Sequence, residues 1–410
     1  MFDNGLFLLQ IAVIVGFSHL IAALFQKFGQ PRVVGEMAAG IALGPTLFGS
    51  LAPGAYHALF PAASLGFLNA LSQAGLAIFV FLVGVRVDFA ELRRQSGIAI
   101  LTSNISVIVP LLMGIACAQY LFPRYGSGSR LIFALFIGTA MSVTAFPVLA
   151  RILMERKLLG TRLGSVAIAC AAVDDITAWI LLATIIALTK HDPNARPLWL
   201  MIIQIAAYAG VMLILGKILD TWSKRADERD LPLGSMVVFI LLALFSGAVG
   251  EWIGIHALVG AFLAGLVTPR KFRLQLIDQL ETVTLLLLLV PLYFALTGIR
   301  TNLIFTAGVG AYLDLLLILL VAILSKWGGT MIGARAKGMS WPDACQLGLM
   351  MNTRGLVELI VLNLGLEIGI LSPPLFSMMV SMALVTTGMA TPLMDWIGGA
   401  KLKAARATQT

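Results

Sequence analysis

Apolar runs of about 18–25 residues, the length a helix needs to cross the hydrocarbon core of a bilayer, recur along this chain from one end to the other. Backbone N–H and C=O groups find no water inside a bilayer, so a chain that repeats such runs must bury them as helices that pack on one another. Only 12% of the residues are charged, against about 25% in a soluble domain. The expected fold is therefore all-α, a polytopic membrane protein without enzyme motifs. Cys117, Cys170 and Cys345 fall inside apolar runs with no metal or disulfide spacing and read as small apolar fillers.

Thirteen spans are expected, near 5–26, 31–47, 66–86, 97–121, 129–153, 161–188, 198–219, 232–250, 254–268, 276–298, 309–334, 342–366 and 372–396. Counting residues at span ends with the neighbouring loop, 21 of the 28 Lys and Arg fall after odd-numbered spans or in the tail, and 5 elsewhere. The other two, Lys326 and Arg354, lie inside spans. The net charge of +8 thus reads as topology, not as a nucleic-acid surface: N-terminus outside, C-terminus cytoplasmic. The first run has no basic leader and is expected to be retained. A bacterial inner membrane is the simplest setting, and no cofactor is expected.

Three segment pairs repeat in order, seven spans apart. "VVGEMAAGIALGP" (33–45) matches "LVGAFLAGLVTP" (258–269), and "FLVGVRVD" (81–88) matches "FALTGIRTN" (294–302). "GTAMSVTAFPVLARIL" (138–153) can be laid on "GLMMNTRGLVELIVLN" (348–363). Seven is odd, so the second copy crosses in the opposite sense. Residues 1–396 then form one transmembrane domain, with repeat one at about 5–188, a linker helix at 198–219, repeat two at about 232–396, and a tail at 397–410. Inverted repeats of this kind underlie many secondary transporters, whose sites lie at interrupted helices near the midplane.

The interruptions can be named. "MSVTAFPV" places Ser142, Thr144 and Pro147 in the fifth span, and "NTRGLVE" places Asn352, Thr353, Arg354, Gly355 and Glu358 at matching depth in the twelfth. Pro147 has no amide hydrogen and clashes with the preceding turn. Freed backbone groups are tolerated in a membrane only where they line a polar cavity or are buried in protein.

"AAVDDITAWILLA" (171–183) then sets Asp174 beside Asp175 in the sixth span. A mid-membrane charge costs about 2.5–3.5 kcal/mol on insertion scales and usually marks an ion or proton path. Neighbouring helical residues point about 100° apart, so one aspartate can meet a partner helix while the other faces a cavity. Lys326, deep in the eleventh span, is the available cationic partner. A purely structural ion pair needs one aspartate; the second is left over.

These motifs, with "FLVGVRVD" and "LMMNTRGLVELIVLNLG", resemble the monovalent cation:proton antiporter superfamily, over residues 5 to 396. The resemblance is to its second branch, of bacterial sodium/proton and potassium-efflux exchangers and plant cation/proton exchangers. It implies a homodimer in the bilayer, two crossed unwound helices (the fifth and twelfth spans), and a core domain that slides like an elevator against a dimerisation domain. The transported ions would be Na+ or Li+, with K+ an alternative, and H+. Asp175 matches the essential acid that binds cation or proton, Asp174 the position before it, and Lys326 the basic residue that pairs with the first aspartate. Thr144 falls where some relatives place a hydroxyl near the ion, joined here by Ser142; Arg354 and Glu358 balance the half-helix ends. Two departures stand out: Ala145 replaces the acid of some relatives, and Arg86 replaces a common Glu. Potassium-efflux relatives usually append a nucleotide-binding regulatory domain; only "KLKAARATQT" follows the last span here, so that form of gating is not expected. A sodium-coupled organic-solute symporter and a cation channel are the rival readings. An aspartyl protease is not, because adjacent residues on one helix cannot form its facing dyad.

Lesser polar residues have smaller expected roles. Glu36 lines the path or pairs with Arg32, His256 opens the ninth span, Trp179 packs, and "KRADERD" (224–230) is a solvated loop.

Overall fold

The computed structural model describes residues 4–87, 96–190, 198–225, 233–280, 288–299, 301, 303 and 309–407. Eighteen α-helices lie within them. The first five are α1 (Asn4–Lys27), α2 (Arg32–Leu43), α3 (Phe48–Leu51), α4 (Pro53–Leu59) and α5 (Ala62–Arg86). Next come α6 (Ser96–Tyr125), α7 (Arg130–Ser142), α8 (Phe146–Glu155), α9 (Arg162–Lys190) and α10 (Leu198–Arg225). After them run α11 (Leu233–Ile253), α12 (Ala257–Leu266), α13 (Arg273–Leu280) and α14 (Val290–Ile299). The last four are α15 (Val309–Ala336), α16 (Trp341–Met351), α17 (Leu356–Glu367) and α18 (Pro373–Ala407).

Every one of the thirteen expected spans carries helix. Among the described residues, ten segments are long and apolar enough to cross a membrane, and α12 and α14 are shorter apolar helices. The remaining span is the broken pair α16 and α17. Two details differ from expectation. The second span ends at Leu43, not 47, because Pro45 follows and the chain turns into the short helices α3 and α4. The ninth starts at Ala257, after Gly254 and His256 adopt positive φ and the His256 ring caps the Leu258 amide. The tenth expected span holds α13, to Leu280, and α14, from Val290. Residues 281–287 between them lie outside the described residues, as do Asp88, Arg300 and Asn302 of the repeat motifs and 226–230 of the charged loop.

Ends of odd-numbered spans meet one another: Arg156 binds Asp395 at 2.6 Å and the Gly29 carbonyl, and the Arg32 amide donates to Glu155. Ends of even-numbered spans do likewise. Arg124 and Tyr125 bind Asp314, and Ser127 donates to the Gly369 carbonyl. Alternate crossing of a bilayer requires this parity.

The matched segments also make matched contacts. Gly40 and Gly298 let α2 and α14 touch backbone to backbone: a Cβ on Gly40 would collide with the Ala295 carbonyl. Gly84 and Gly265 do the same for α5 and α12, where a Cβ on Gly265 would collide with the Phe81 carbonyl. In the aligned motifs Gly40 corresponds to Gly265 and Gly84 to Gly298, so one crossing occurs twice. Gly40→Ala and Gly265→Ala are each expected to destabilise the fold by about 1–3 kcal/mol through overpacking, read as a drop in thermal unfolding temperature in detergent. Gly16, where an added Cβ meets nothing within 4 Å, is the control; an equal drop in Gly16→Ala would refute the argument.

The helices sort into two bundles. One holds α6–α9 with α15–α18; the other is built on α1, α2, α5, α11, α12 and α14. Contacts between them are sparse and run through α2 with α8 and α18, α5 with α8, α9 with α12, and α14 with α17.

Candidate ion site at the crossed helix breaks

The site lies where two helices stop and restart. Helix α7 ends at Ser142 and α8 begins at Phe146, with Val143–Ala145 extended between them. Pro147 sits in the first turn of α8, where a missing N–H costs nothing. Residues 352–355 separate α16 from α17. The two breaks cross in contact: the Ala145 amide donates to the Thr353 carbonyl at 3.0 Å, and the Thr144 hydroxyl lies 2.9 Å from the Met351 carbonyl.

Each break leaves helix-end groups without intrahelical partners, and charged side chains answer them. At the carbonyl end of α7, Arg354 donates through Nη1 to Ala140 O at 3.0 Å and through Nη2 to Met141 O at 2.6 Å. Lys326 Nζ donates to Ser142 O at 2.5 Å. Cations at the negative end of a helix dipole are favourable. At the amide end of α8, the Phe146 N–H bonds to the Asp175 carboxylate. Glu358 lies in the first turn of α17, 3.4 Å from Arg354 Nη1. The backbone of Arg354 is itself held by Thr387, whose hydroxyl exchanges two 2.7 Å bonds with it.

The adjacent aspartates part ways as their angular offset requires. Asp174 points toward α6 and α15 and is saturated. Lys326 Nζ lies 2.8 Å from Oδ2, Ser103 donates to Oδ1 at 2.5 Å, and Ser106 and Thr144 reach Oδ2 at 3.3 and 2.9 Å. Lys326 also donates to the Ser106 carbonyl at 2.9 Å. Asp174, Lys326, Arg354 and Glu358 are completely buried. Asp175 points the other way, toward the start of α8. It is 2% exposed, and its Oδ1 has no hydrogen-bond partner. The same is true of the Asn352 amide in the second break, both of whose polar atoms are buried and unpartnered.

The structure thus gathers Asp174, Asp175, Thr144, Lys326, Arg354 and Glu358 at one crossing. Ser142 is there through its carbonyl, while its hydroxyl turns back to Thr139 O at 2.8 Å. Ser103, Ser106 and Asn352 were not singled out as site residues in the sequence; the polar cluster "TSNIS" (102–106) inside an apolar run was the available signal for the first two. Glu36 does not pair with Arg32. Its nearest cation is Arg151, Nη2 at 3.8 Å, because Arg32 turns to His19. His256 stacks on Trp179, rings 4.9 Å apart. No group of three or more His, Cys, Asp or Glu able to hold a metal exists among the described residues. The oxygens on offer are carboxylate, hydroxyl and carbonyl, the ligands hard cations take.

Helices that break and cross at mid-membrane around buried carboxylates define a secondary transporter fold. The sodium/hydrogen exchanger transmembrane family matches residues 13–397, and the chain belongs to it. It is 40% identical over 396 residues to the Na(+)/H(+) antiporter NhaS4 of Synechocystis, covering 95% of this chain and 96% of that one. Against Cation/H(+) antiporter 15 of Arabidopsis thaliana it is 37% identical over 96% of its own length, but spans only 48% of that relative. The sodium proton antiporter MjNhaP1 of Methanocaldococcus jannaschii has the same fold. It superposes with a TM-score of 0.67 at 16% identity, covering 98% of this chain and 97% of that one. The family resemblance carried by the motifs is borne out.

Proposed function

We infer that the protein exchanges a monovalent cation, Na+ or K+, for protons, with Asp175 as the carboxylate for which the two compete. The observation that carries this reading is the asymmetry of the pair: Asp174 has four donors, whereas Asp175 Oδ1 has none. A buried carboxylate oxygen left open can take a proton or a cation, and occupancy by either neutralises it. An empty site leaves a bare charge in low dielectric, which is costly, so the unloaded carrier moves slowly and the two fluxes are coupled. Relatives named as Na(+)/H(+) and K(+)/H(+) antiporters support the ion class.

We further propose that Thr144, Ser142 and carbonyls at the breaks help coordinate the ion, and that Lys326 with Arg354 and Glu358 keeps the crossing electrically balanced. The bundle that carries both breaks touches the other bundle sparsely, which suits the sliding motion of an elevator. We place the N-terminus outside and the C-terminus in the cytoplasm from the Lys and Arg distribution, and expect a homodimer built on the bundle without the breaks.

Proteoliposomes holding a pH-sensitive dye test the reading. Sodium, lithium or potassium added in turn should each drive proton movement to an extent that ranks the ions. Cation flux without proton movement would overturn antiport in favour of a channel. Proton movement only when an organic solute accompanies sodium would point to a symporter.

A further inference from the structure

A second buried polar atom without a partner lies within electrostatic reach of Asp175, and it belongs to the other bundle. Tyr293 sits in the middle of α14, which packs on α2, α5 and the half-helix α17. The residue is 2% exposed, and its hydroxyl has no hydrogen-bond partner. The Asp175 charge reaches that phenol.

A buried tyrosine hydroxyl normally finds a partner. This chain has 22 Phe and 6 Tyr, and it uses Phe where only a ring is needed, as at Phe294, whose ring meets Tyr293 edge-on at 5.5 Å. A hydroxyl at position 293 therefore calls for a polar occupant. Asp175 Oδ1, on α9, poses the same requirement. Two buried, unpartnered oxygens within electrostatic reach of each other are both met by one small species that each can hold, a water or a cation.

We propose that Tyr293 is a further residue of the ion site, whose hydroxyl holds, from the opposite bundle, the water or cation seated on Asp175 Oδ1. This rests on the reading of Asp175 as the exchange site. Because Tyr293 and Asp175 belong to different bundles, sliding of one against the other separates them. The hydroxyl then serves the ion in one arrangement and not in the other, and apparent cation affinity differs between the two faces of the membrane.

Tyr293→Phe removes the hydroxyl and keeps the ring. In proteoliposomes of defined orientation, the apparent KM for the cation is expected to rise about 5- to 10-fold on one face only, with the maximal exchange rate within about twofold of wild type. The cation-induced rise in unfolding temperature in detergent, which needs no transport, should require a correspondingly higher cation concentration. A KM unchanged on both faces, or a fall in maximal rate and stability at unchanged KM, overturns the proposal and leaves Tyr293 a packing residue. Asp175→Asn in the same assays separates the two failures. If it abolishes exchange while Tyr293→Phe does nothing, only the role of Tyr293 falls; if it leaves exchange intact, the Asp175 reading falls as well.

Discussion

Asp175→Asn is expected to abolish cation-driven proton movement, with a fall of at least about 100-fold, while leaving the unfolding temperature near that of wild type. Asparagine has the shape of aspartate and an oxygen that still accepts the Phe146 amide, so the start of α8 keeps its partner. What is lost is the ability to carry a charge, and with it any competition between proton and cation at one oxygen. A loss of about 100-fold corresponds to roughly 2.7 kcal/mol of interaction, well within what a desolvated carboxylate and a cation supply at short range. Asp174→Asn should behave in the opposite sense. Asp174 Oδ2 is the anionic partner of a completely buried Lys326, so its neutralisation leaves a buried cation with neutral oxygens alone, among them the Ser106 and Ser142 carbonyls. The protein should lose stability first and activity as a consequence. Proton flux and unfolding temperature, measured on both variants, separate the roles. Equal loss of flux at wild-type stability in both variants would mean that the aspartates act as one unit.

What the sequence disclosed, and what it did not, follows from which interactions are local. Helix existence came from runs of apolar residues and needs no tertiary partner, so all thirteen spans were visible. The break in α7–α8 was announced by Pro147, a local steric fact, and the divergence of Asp174 from Asp175 by the geometry of a helix. Less visible was a boundary set by capping, the start of α12 after His256. The donors to Asp174 were missed for a different reason. Ser103 and Ser106 come from α6, about seventy residues away in sequence, and serine in a membrane helix usually satisfies itself on its own backbone, as Ser142 does here. Arg354 was expected to balance a helix end, but its aim at the Ala140 and Met141 carbonyls depends on how two breaks cross, which no spacing encodes. Tyr293 carries no local signal that separates it from other aromatics in an apolar run. Only burial, an unmatched hydroxyl and the nearness of Asp175 set it apart.

Lys326→Met should be the most destabilising single change in the site, costing about 3–5 kcal/mol. Methionine fills a similar volume and suits a membrane interior, so the cost is electrostatic and not a cavity. The Asp174 carboxylate would keep Ser103, Ser106 and Thr144, but three neutral donors do not neutralise a completely buried charge. The Ser142 carbonyl at the end of α7 would lose its donor at the same time, loosening the α7 side of the crossing. Breaking a buried pair from one side is costly because the surviving charge has nowhere to go, whereas removing both charges together is often close to neutral. The double variant Lys326→Met with Asp174→Asn is therefore expected to recover more than half of the lost stability, read from unfolding temperatures of the wild type, both single variants and the double variant. Because Asp175 and its open oxygen are untouched, the double variant should also retain cation-dependent proton exchange, at a reduced rate. Additive losses in the double variant would mean that Lys326 and Asp174 stabilise the protein independently. A Lys326→Met protein as stable as wild type would mean that the ion pair is no brace at all.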